Sequence, residues 1–361
     1  MLTVVQDFLL SLLPAKKRTS QGGWISFNAV CCQHNGETPD TRGRGGVKTN
    51  PDGSVTYNCF NCHFKANYTP GRHLTYKFRK LLGWLGASAN EVQRLVIEAI
   101  RIKDLVNPDD IKVEPEEAID FEPCALPPEA KSFAEWEMWY TLGADQEEGA
   151  LPNYPTEFMQ VVNYIWHRGG NDILNYSFYW STAVEHKLSH RIIVPFYWKG
   201  NIVGWTARAI VDGITPKYYS DHPTDFVFNM DHQQPGDKFV VVVEGCMDAM
   251  IIDGVSVQGS TVSERQADII ETLGREVIVV PDFDVKIKKG KKSWSGESMV
   301  DAAIEYGWSV AFPVWSETCK DVNEAVSKYG KLFVLKAILD SRESNRLKIE
   351  LQRKKYASNA N

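Results

Sequence analysis

The order of apolar and polar residues is clearest in the last third of the chain. The run FVVVV at 239–243 is continuously β-branched, which is typical of a strand buried on both faces, and the helix-like segment 246–253 follows it. The alternation then continues with a strand at 255–258, a helix capped by Ser263 and closed by Gly274, a strand at 276–280, a helix at 298–306 and a strand at 308–312. This pattern predicts a doubly wound, mostly parallel α/β sheet.

Upstream, the pattern is more mixed. The runs 191–198 and 201–210 are separated by Lys199-Gly200 and predict a β-hairpin. Helical spacing predicts one or two amphipathic helices over 81–105 and a helix over 156–167, while residues 1–70 show little periodicity. Helices are expected again from 322 to about 355.

The predicted fold class is α/β, built from several modules in sequence. The expected divisions are a small cysteine-containing domain at 1–75, a helical segment and acidic linker at 76–130, a mixed α+β basic subdomain at 131–237, the parallel-sheet domain at 238–330 and a helical tail at 331–361. A chain of 361 residues is long enough for two or three such cores.

Charge is distributed unevenly. The 46 acidic and 40 basic residues give a net charge of −6, which taken alone disfavours a protein that coats a polyanion. Residues 1–80 hold 11 basic and 4 acidic side chains, whereas residues 81–160 hold 5 and 17. The average therefore conceals a basic head followed by an acidic segment.

Apolar runs and cysteine usage indicate the compartment. No apolar run approaches the roughly 20 residues that span a bilayer, and Asp7 interrupts the apolar amino end, so neither a membrane helix nor a signal peptide is expected. Seven cysteines, an odd number with several in one stretch, are typical of a reducing compartment. A cytoplasmic protein without membrane partners is the expectation.

A metal-ligand pattern lies in the basic head. Cys31 and His34 form a C-x2-H pair, Cys59 and Cys62 form a C-x2-C pair, and 24 residues separate the two pairs. Tetrahedral zinc takes two ligands from each of two such knuckles, so these four residues are the expected ligands of a structural Zn²⁺. Cys32 and His63 stand beside them and leave the register open by one residue at each knuckle.

The stretch between the knuckles combines positive charge with aromatic rings. Its candidate DNA-recognition residues are Arg42, Arg44 and Lys48, with Tyr57 and Phe60 nearby. Basic residues interleaved with aromatic ones suit single-stranded nucleic acid, whose phosphates meet the charges and whose bases stack on the rings. A solvated basic loop is the alternative interpretation.

Carboxylates follow the strands of the predicted parallel sheet. Glu244 ends the first strand, Asp248 lies one turn into the next helix, and Asp282 and Asp284 follow the strand at 276–280. Sites in open α/β sheets lie beyond the carboxyl ends of the strands, and clustered acids repel one another unless cations lie among them. The acids therefore predict a Mg²⁺ site, with Glu244, Asp282 and Asp284 as the expected ligands.

A further acidic group follows the fourth strand. The segment 320–324 contains Asp321, which is a candidate for orienting the metal or for simply capping the helix that begins there. Both roles are open at this stage.

Several of these segments resemble a known family. EGCMDA (244–249), QGST (258–261), PDFD (281–284) and KDVNEA (320–325) resemble, in order and spacing, the Toprim domain of primases, topoisomerases and some nucleases. RIIVPFYWKGNIVGWTAR (191–208) and PKYYS (216–220) resemble the basic subdomain of DnaG-type and bacteriophage primases. The two knuckles resemble the amino-terminal zinc ribbon of the same enzymes.

The resemblance implies a function and site residues. It implies a DNA primase, a nucleotidyltransferase that makes short RNA primers on single-stranded DNA from ribonucleoside triphosphates. By resemblance, Arg191, Arg208, Lys217 and Lys320 bind nucleotide or template, and Glu244, Asp248, Asp282, Asp284 and Asp321 are catalytic with Mg²⁺ or Mn²⁺. The tail implies a replicative helicase or a single-strand-binding protein as a partner, although a plain solvated helix explains it equally well.

Departures from the family and other functions also bear on this interpretation. The chain has no G-x4-G-K-[ST] phosphate loop, since Gly290-Lys291-Lys292-Ser293 lacks the spacing, so it resembles a free-standing phage-type primase without a helicase motor.

Two other functions are compatible with these motifs. A Toprim nuclease or topoisomerase uses the same acids to cleave phosphodiesters. A non-catalytic zinc adaptor of the replisome is the third interpretation.

Overall fold

A computed structural model describes residues 3–103, 119–142, 154–183, 187–288, 291–315 and 319–359. The chain divides into two compact units. The amino-terminal unit comprises Met1–Glu117 with Leu273–Glu276 and Glu305–Gly307, and the carboxyl-terminal unit comprises Ala118–Thr272, Val277–Ile304 and Trp308–Asn361. The five-part division expected from the sequence stays a prediction.

The amino-terminal unit is built on an antiparallel meander. Its helices are α1 (Val4–Leu12), α2 (Tyr76–Trp84) and α3 (Ala89–Lys103), and its strands are β1 (Arg18–Thr19), β2 (Trp24–Phe27), β3 (Gly45–Thr49), β4 (Val55–Cys59) and β5 (Lys65–Tyr68). The strands pair in chain order, each antiparallel to the next. One or two helices are expected over 81–105, and the structure has two, the first of which begins before residue 81.

Residues 1–70 show little periodicity in sequence although they contain a regular sheet, and the length of its strands explains why. On β4, Val55, Tyr57 and Cys59 are buried while the residues between them are partly exposed, which is the two-residue period of a half-buried strand. The strands are only two to five residues long, so each gives too few repeats for the period to stand out. The buried side of the sheet shares one core with Val5 and Leu9 of α1.

The first sheet of the carboxyl-terminal unit is also antiparallel. It contains β6 (Ala130–Ser132), β7 (Tyr179–Ser181), β8 (Arg191–Trp198), β9 (Asn201–Ala209) and β10 (Tyr218–Asp221) in the order β10-β9-β8-β7-β6, with helices α4 (Phe133–Leu142) and α5 (Thr156–Gly169). The predicted hairpin is confirmed as β8 and β9. Lys199 and Gly200 both adopt positive φ at its turn, as tight two-residue hairpin turns require.

The second large sheet carries the alternating elements of the last third. They are β11 (Phe239–Val243), α6 (Cys246–Ile251), β12 (Val255–Ser256), α7 (Glu264–Glu271), β13 (Glu276–Val279), β14 (Val285–Lys288), β15 (Lys291–Trp294), α8 (Glu297–Tyr306), β16 (Ser309–Ala311), α9 (Val322–Tyr329), α10 (Lys331–Ser341), β17 (Arg342–Glu343) and α11 (Arg346–Asn359). The sheet order is β12-β11-β13-β16-β17. Strand β11 is parallel to β12 and β13 is parallel to β16, while β17 is antiparallel.

The predicted α/β alternation is confirmed in this sheet, down to the predicted capping box of Ser263 and Gln266 on α7. Two features were not predicted. Strand β17 is an edge of two residues, and β14 with β15 forms a separate antiparallel hairpin between Asp284 and α8. Among the described residues, no helix combines the length and the apolar character needed to cross a membrane.

Candidate functional site

Five carboxylates gather in the carboxyl-terminal unit, beside the ends of neighbouring strands. Glu244 follows β11, and Asp248 lies on α6. Asp282 and Asp284 follow β13, which neighbours β11 in the sheet, while Asp321 is the N-cap residue of α9. The structure therefore brings together the five acids that the sequence singled out, four of them after a strand or in the first turn of the next helix and Asp321 at a helix N-cap.

The charges of these acids interact. Burial raises the pKa of Asp282 to about 9, and the carboxylates of Asp248, Glu244, Asp321 and Asp284 add to this rise in that order. The pKa of Asp248 rises to about 7 by burial and then by the charge of Asp321. Such mutual repulsion is what a divalent cation relieves.

The first turn of α9 ties two of the acids in place. The backbone N–H of Asn323 donates to Asp248 Oδ1 at 2.9 Å, and that of Glu324 donates to Asp321 Oδ1 at 2.8 Å. Asp321 therefore caps the helix, one of its two predicted roles. Its charge also acts on Asp248 and Asp282, so capping does not remove it from the acidic cluster.

The acids fit a hard cation that keeps part of its water shell. In the described part of the chain, the four thiols Cys31, Cys32, Cys59 and Cys62 are the set of donor atoms that lies within 4.8 Å of one another, and the carboxylates do not form so close a set. Mg²⁺ takes one or two carboxylates together with waters and substrate phosphates. A wider ring of acids suits that coordination better than it suits a closed all-protein cage.

Cationic side chains adjoin the acids. Burial lowers the pKa of Lys217, the charges of Arg208, Lys320 and Arg168 lower it further, and Asp284 acts in the opposite direction. Lys320 also forms an ion pair with Glu324 at 3.3 Å. Four cations therefore act together beside the carboxylates, as a site for a polyphosphate requires.

Arg208 is buried among aromatic rings. Its guanidinium carbon lies 5.1 Å from the ring centre of Tyr218 and 5.7 Å from that of Tyr164, and its Nη1 donates to the Tyr218 hydroxyl. These contacts hold the guanidinium in one place. Arg208 therefore acts on the cluster as a fixed charge.

The structure places Arg191 differently from the expectation of a nucleotide contact. Its side chain is 1% exposed, and its guanidinium donates to four backbone carbonyls, those of Lys187, Ala207, Lys217 and Pro216. A guanidinium has five N–H donors, so little of it is left for a ligand. Arg191 instead fixes the backbone that carries Lys217.

Sequence reasoning missed Arg168, at the end of α5. Its Nη1 donates to Asn323 Oδ1 at 2.8 Å, while Asn323 Nδ2 donates back to the Arg168 carbonyl at 3.0 Å. Burial acts to lower the pKa of its guanidinium, but Tyr164, Asp321 and Asp248 together raise it. Arg168 lies 80 residues before Asp248, and nothing local distinguishes it from an ordinary basic residue in the last turn of a helix.

Arg168 also borders a cleft. The cleft has a volume of about 490 Å³ and is lined by His167, Arg168, Cys319, Asn323, Glu324, Ser327 and Lys328. Its lining is polar on the side of α9, because Asn323, Ser327 and Lys328 belong to that helix.

The candidate zinc site in the amino-terminal unit consists of thiols. Cys31, Cys32, Cys59 and Cys62 place their Sγ atoms within 4.8 Å of one another, with Cys31 to Cys62 at 3.4 Å and Cys32 to Cys59 at 3.6 Å. A tetrahedron with Zn–S bonds of roughly 2.3 Å has sulfur atoms about 3.8 Å apart. Four thiols at these distances fit zinc.

The ligand set differs from the expected one at a single position. Cys32 takes the place predicted for His34, whose ring instead stacks on Trp84 with centroids 4.6 Å apart and planes 4° apart. The reason is local, since residues 32–35 form a short 3-10 helix that begins at Cys32. The resolved register is therefore Cys31, Cys32, Cys59 and Cys62.

Polar groups around the thiols hold them in place. The Tyr57 hydroxyl lies 3.2 Å from Cys31 Sγ, and the side-chain amides of Asn61 and Asn35 donate to Cys32 Sγ at 3.4 Å and to Cys62 Sγ at 3.6 Å. Such outer contacts orient metal ligands. Tyr57 is fully buried, so it belongs to the thiol site and not to a base-stacking surface.

The three predicted DNA-recognition residues have different environments. Arg44 pairs with Asp40 at 2.9 Å and donates to Asn61, so it orders the loop. Arg42 is exposed, and Lys48 on β3 lies opposite Trp24 of β2. Phe60, 64% exposed, meets Trp24 edge to face at 6.5 Å, which leaves aromatic surface beside Lys48.

Asp40 organises the loop that carries these cations. Burial acts to raise its pKa, but N–H donors from the backbone of Ala29, Arg42 and Arg44 and the Arg44 side chain lower it to about 2. An ionised carboxylate with three backbone donors forms a rigid turn. The basic loop is thereby fixed beside the thiol site, because Arg44 also contacts Asn61.

Solved structures resemble this chain, although no protein-family model and no curated protein sequence matches it. One is the Aquifex aeolicus primase, comprising zinc-binding and RNA polymerase domains, with 15% identity, a TM-score of 0.42, and coverage of 94% of this chain and 83% of that one. Another is a DnaG primase catalytic domain bound to single-stranded DNA, with 15% identity, a TM-score of 0.41, and coverage of 57% and 78%. A DnaG catalytic core has 17% identity and a TM-score of 0.34, and this chain covers 53% of its length.

Two of these solved structures are DnaG proteins and the third is a primase, as in the family that the sequence motifs resemble. The chain itself is mixed α/β, with a cysteine cluster near its amino end. At such low identity the chemistry of the site has to be derived from its own residues.

Proposed function

We propose that the protein is a DNA primase of the free-standing, phage-type class, which synthesises short RNA primers on single-stranded DNA. The observation that carries the proposal is the meeting of five carboxylates with Lys217, Arg208, Lys320 and Arg168. Acids that hold divalent cations, set beside fixed cations, are the parts that nucleotidyl transfer needs. The order of the four segments that resemble a Toprim domain, at 244–249, 258–261, 281–284 and 320–325, also supports the proposal.

Each group of residues has a task in the proposed reaction. Lys217, Arg208 and Arg168 would bind the phosphates of the incoming ribonucleoside triphosphate, and Arg191 would keep Lys217 in position through its carbonyl. The primer 3′-hydroxyl attacks the α-phosphorus, the new P–O bond forms, pyrophosphate leaves and the hydroxyl proton is lost to water. Bound to Glu244, Asp282 and Asp284, Mg²⁺ or Mn²⁺ would stabilise the charge that develops on phosphate and hydroxyl.

The amino-terminal unit would recognise the template. Zn²⁺ held by Cys31, Cys32, Cys59 and Cys62 would stabilise its fold, and Arg42, Lys48 and Phe60 would contact the single strand by charge and stacking. The helical tail is proposed to dock a replicative helicase or a single-strand-binding protein.

The test is the substitution Asp282→Asn, compared with Asp340→Asn at an exposed position on α10, outside the acids and their neighbouring cations. Primer synthesis with Mg²⁺, ribonucleoside triphosphates and single-stranded DNA should fall at least about a hundredfold in the Asp282 variant, because a group aimed at transition-state charge is worth this much. The Asp340 variant should keep wild-type synthesis, and template binding should persist in both.

The same incubation separates the other functions. A nuclease would shorten labelled DNA in an Asp282-dependent manner, and an adaptor would bind without turnover. Undiminished primer synthesis by the Asp282 variant would contradict the assignment of the site.

A further inference from the structure

Side chains at the end of α5 and on α9 line a polar cleft in the carboxyl-terminal unit. Its volume of about 490 Å³ falls within the roughly 300–1,000 Å³ of sites that take small ligands. The residues that the two helices contribute are His167, Arg168, Asn323, Glu324, Ser327 and Lys328. The proposed chemistry of the acids gives no role to Ser327 or Lys328, at the outer end of this set.

The helical repeat explains why four residues of α9 face the cleft together. Asn323 and Ser327 are four residues apart, as are Glu324 and Lys328, so each pair lies one turn apart on one side of the helix. Asn323 is buried and accepts from Arg168, whereas Ser327 and Lys328 are exposed. The cleft therefore has a fixed inner end at Asn323 and accessible polar groups one turn further along α9.

The inner end of the cleft adjoins the acidic cluster. The backbone N–H of Asn323 donates to Asp248 Oδ1 at 2.9 Å, and that of Glu324 donates to Asp321 Oδ1 at 2.8 Å. Two residues that line the cleft therefore hold two of the acids. A ligand in the cleft lies next to the candidate metal site.

The chemistry of the lining changes along α9. Glu324 lies beside Asp321 and is ion-paired with Lys320 at 3.3 Å, whereas Lys328 lies seven residues beyond Asp321. Seven residues rise about 10 Å along a helix, a distance comparable with the extended length of a ribose triphosphate. A carboxylate accepts from hydroxyl groups, and an ammonium group binds phosphate. The order of metal-site acid, carboxylate and ammonium thus matches the 3′-hydroxyl, ribose and 5′-triphosphate of a nucleotide.

We propose that this cleft binds the nucleotide that begins the primer, with its 3′-hydroxyl toward the acidic cluster and its 5′-triphosphate on Lys328. This inference rests on the proposed function and deepens it, because the first step of primer synthesis joins two free nucleotides.

The starting nucleotide keeps its triphosphate during this step. Its 3′-oxygen forms the new bond to the α-phosphorus of the incoming nucleotide, pyrophosphate leaves from the incoming nucleotide, and the hydroxyl proton passes to water. The phosphates of the starting nucleotide therefore need cations other than Lys217 and Arg208, which are assigned to the incoming one. Lys328 at the outer end of the cleft is such a cation, and Arg168 borders both the cleft and the acids.

The test compares the starting nucleotide supplied as a triphosphate with the same nucleoside supplied without phosphates. Initiation is measured with Mg²⁺ on single-stranded DNA whose sequence requires different bases at the first and second positions. Lys328→Ala should raise KM for the starting triphosphate about tenfold, because losing a hydrogen bond to a charged group costs about this much. KM for the starting nucleoside and for the second nucleotide should change by less than about twofold, since neither places phosphates on Lys328.

Two variants and one reaction serve as controls. Lys328→Arg keeps the positive charge and should restore most of the affinity for the starting triphosphate. Lys336→Ala removes an exposed lysine from α10 and should leave all three KM values unchanged. Extension of a preformed RNA primer by Lys328→Ala should proceed at the wild-type rate, because the 5′ end of that primer lies several nucleotides from the acids. Thermal unfolding of each variant identifies any loss of folding.

Three results would overturn the proposal, namely an equal rise in KM for both forms of the starting nucleotide, a rise confined to the second nucleotide, or no change in any KM. In each case the wild-type protein still makes primers, so the proposed function would stand. Absence of primer synthesis by the wild-type protein would overturn the proposed function and this inference together.

Discussion

Asp282 shows, at the scale of one residue, how a cluster of buried acids opposes stability. Burial and four neighbouring carboxylates raise its pKa to about 9. A carboxyl whose pKa is raised in the folded protein favours folding less as pH rises from its unfolded value near 4 toward 9, because the unfolded chain ionises first. Under the proposed function, this loss of stability at neutral pH accompanies a cluster of acids that binds divalent cations.

The corresponding prediction concerns Asp282→Asn without divalent cations. At pH 8 this variant should unfold at a higher temperature than wild type, gaining about 0.5–2 kcal/mol. Folding of the wild type at this pH requires the ionised Asp282 of the unfolded chain to bind a proton, whereas the amide of the variant stays neutral in both states. At pH 4 the difference should shrink, since the wild-type carboxyl is then protonated as well. Calorimetry at the two pH values measures both quantities.

Added Mg²⁺ gives the control. It should raise the unfolding temperature of wild type and have less effect on Asp282→Asn, since the variant lacks one expected ligand. A variant that is less stable than wild type at pH 8 would show that Asp282 acts mainly through structural contacts.

Arg191 is a residue whose role the family resemblance and the structure describe differently. The family resemblance implies that Arg191 contacts the nucleotide. In the structure, its guanidinium instead donates to the backbone carbonyl of Lys217. A family motif marks the position of an arginine in sequence, but the partner of its guanidinium depends on backbone carbonyls supplied by β9 and the segment before β10. No local pattern reveals such carbonyls.

Among the elements, β11 and the β8–β9 hairpin were predictable because long β-branched runs and turn residues agree there. The amino-terminal meander and β17 were not predictable, since their strands are only two to five residues long. The partner of β17 is also distant in sequence, because α9 and α10 lie between it and β16. The acids were found because they follow predictable strands, and Arg168 was missed because it does not.

The candidate zinc ligands show that sequence spacing alone does not predict which side chains a short turn brings together. Spacing located both knuckles, but the choice between Cys32 and His34 depended on a 3-10 turn and on the Trp84 ring of α2. Stacking on Trp84 accounts for the position of the His34 ring without a bound metal ion. The C-x2-H spacing alone could not distinguish these arrangements.

The ligand set leads to a prediction at this scale. Cobalt substituted for zinc should give the intense thiolate-to-metal charge-transfer absorption of a four-thiolate site. Cys32→Ser should lower that intensity and weaken metal binding by at least about tenfold, because a ligand is lost. His34→Ala should retain the spectrum while losing about 0.5–1.5 kcal/mol of stacking with Trp84.

The reverse pattern is the contradicting outcome. A normal spectrum in Cys32→Ser together with a changed one in His34→Ala would restore the ligand set of Cys31, His34, Cys59 and Cys62. Metal content per chain, measured on both variants, provides the matching control.

At the scale of the whole molecule, net charge is a poor guide to partners. The chain totals −6, yet its carboxylates include a cluster suited to cations, and basic residues outnumber acidic ones within residues 1–80 and also adjoin the acidic cluster. Electrostatic attraction to a template depends on these local groups. The expected template affinity is therefore salt-sensitive despite the negative total.

The most direct measurement is the chemical identity of the product made on single-stranded DNA from ribonucleoside triphosphates. A primase joins two free nucleotides, so a label on the γ-phosphate of the first nucleotide and a label on the α-phosphate of the next should appear in one short, alkali-sensitive RNA. Asp282→Asn should make neither labelled product. Labelled product without the γ-phosphate, DNA fragments in its place, or no template-dependent product from the wild-type protein would contradict the proposed function.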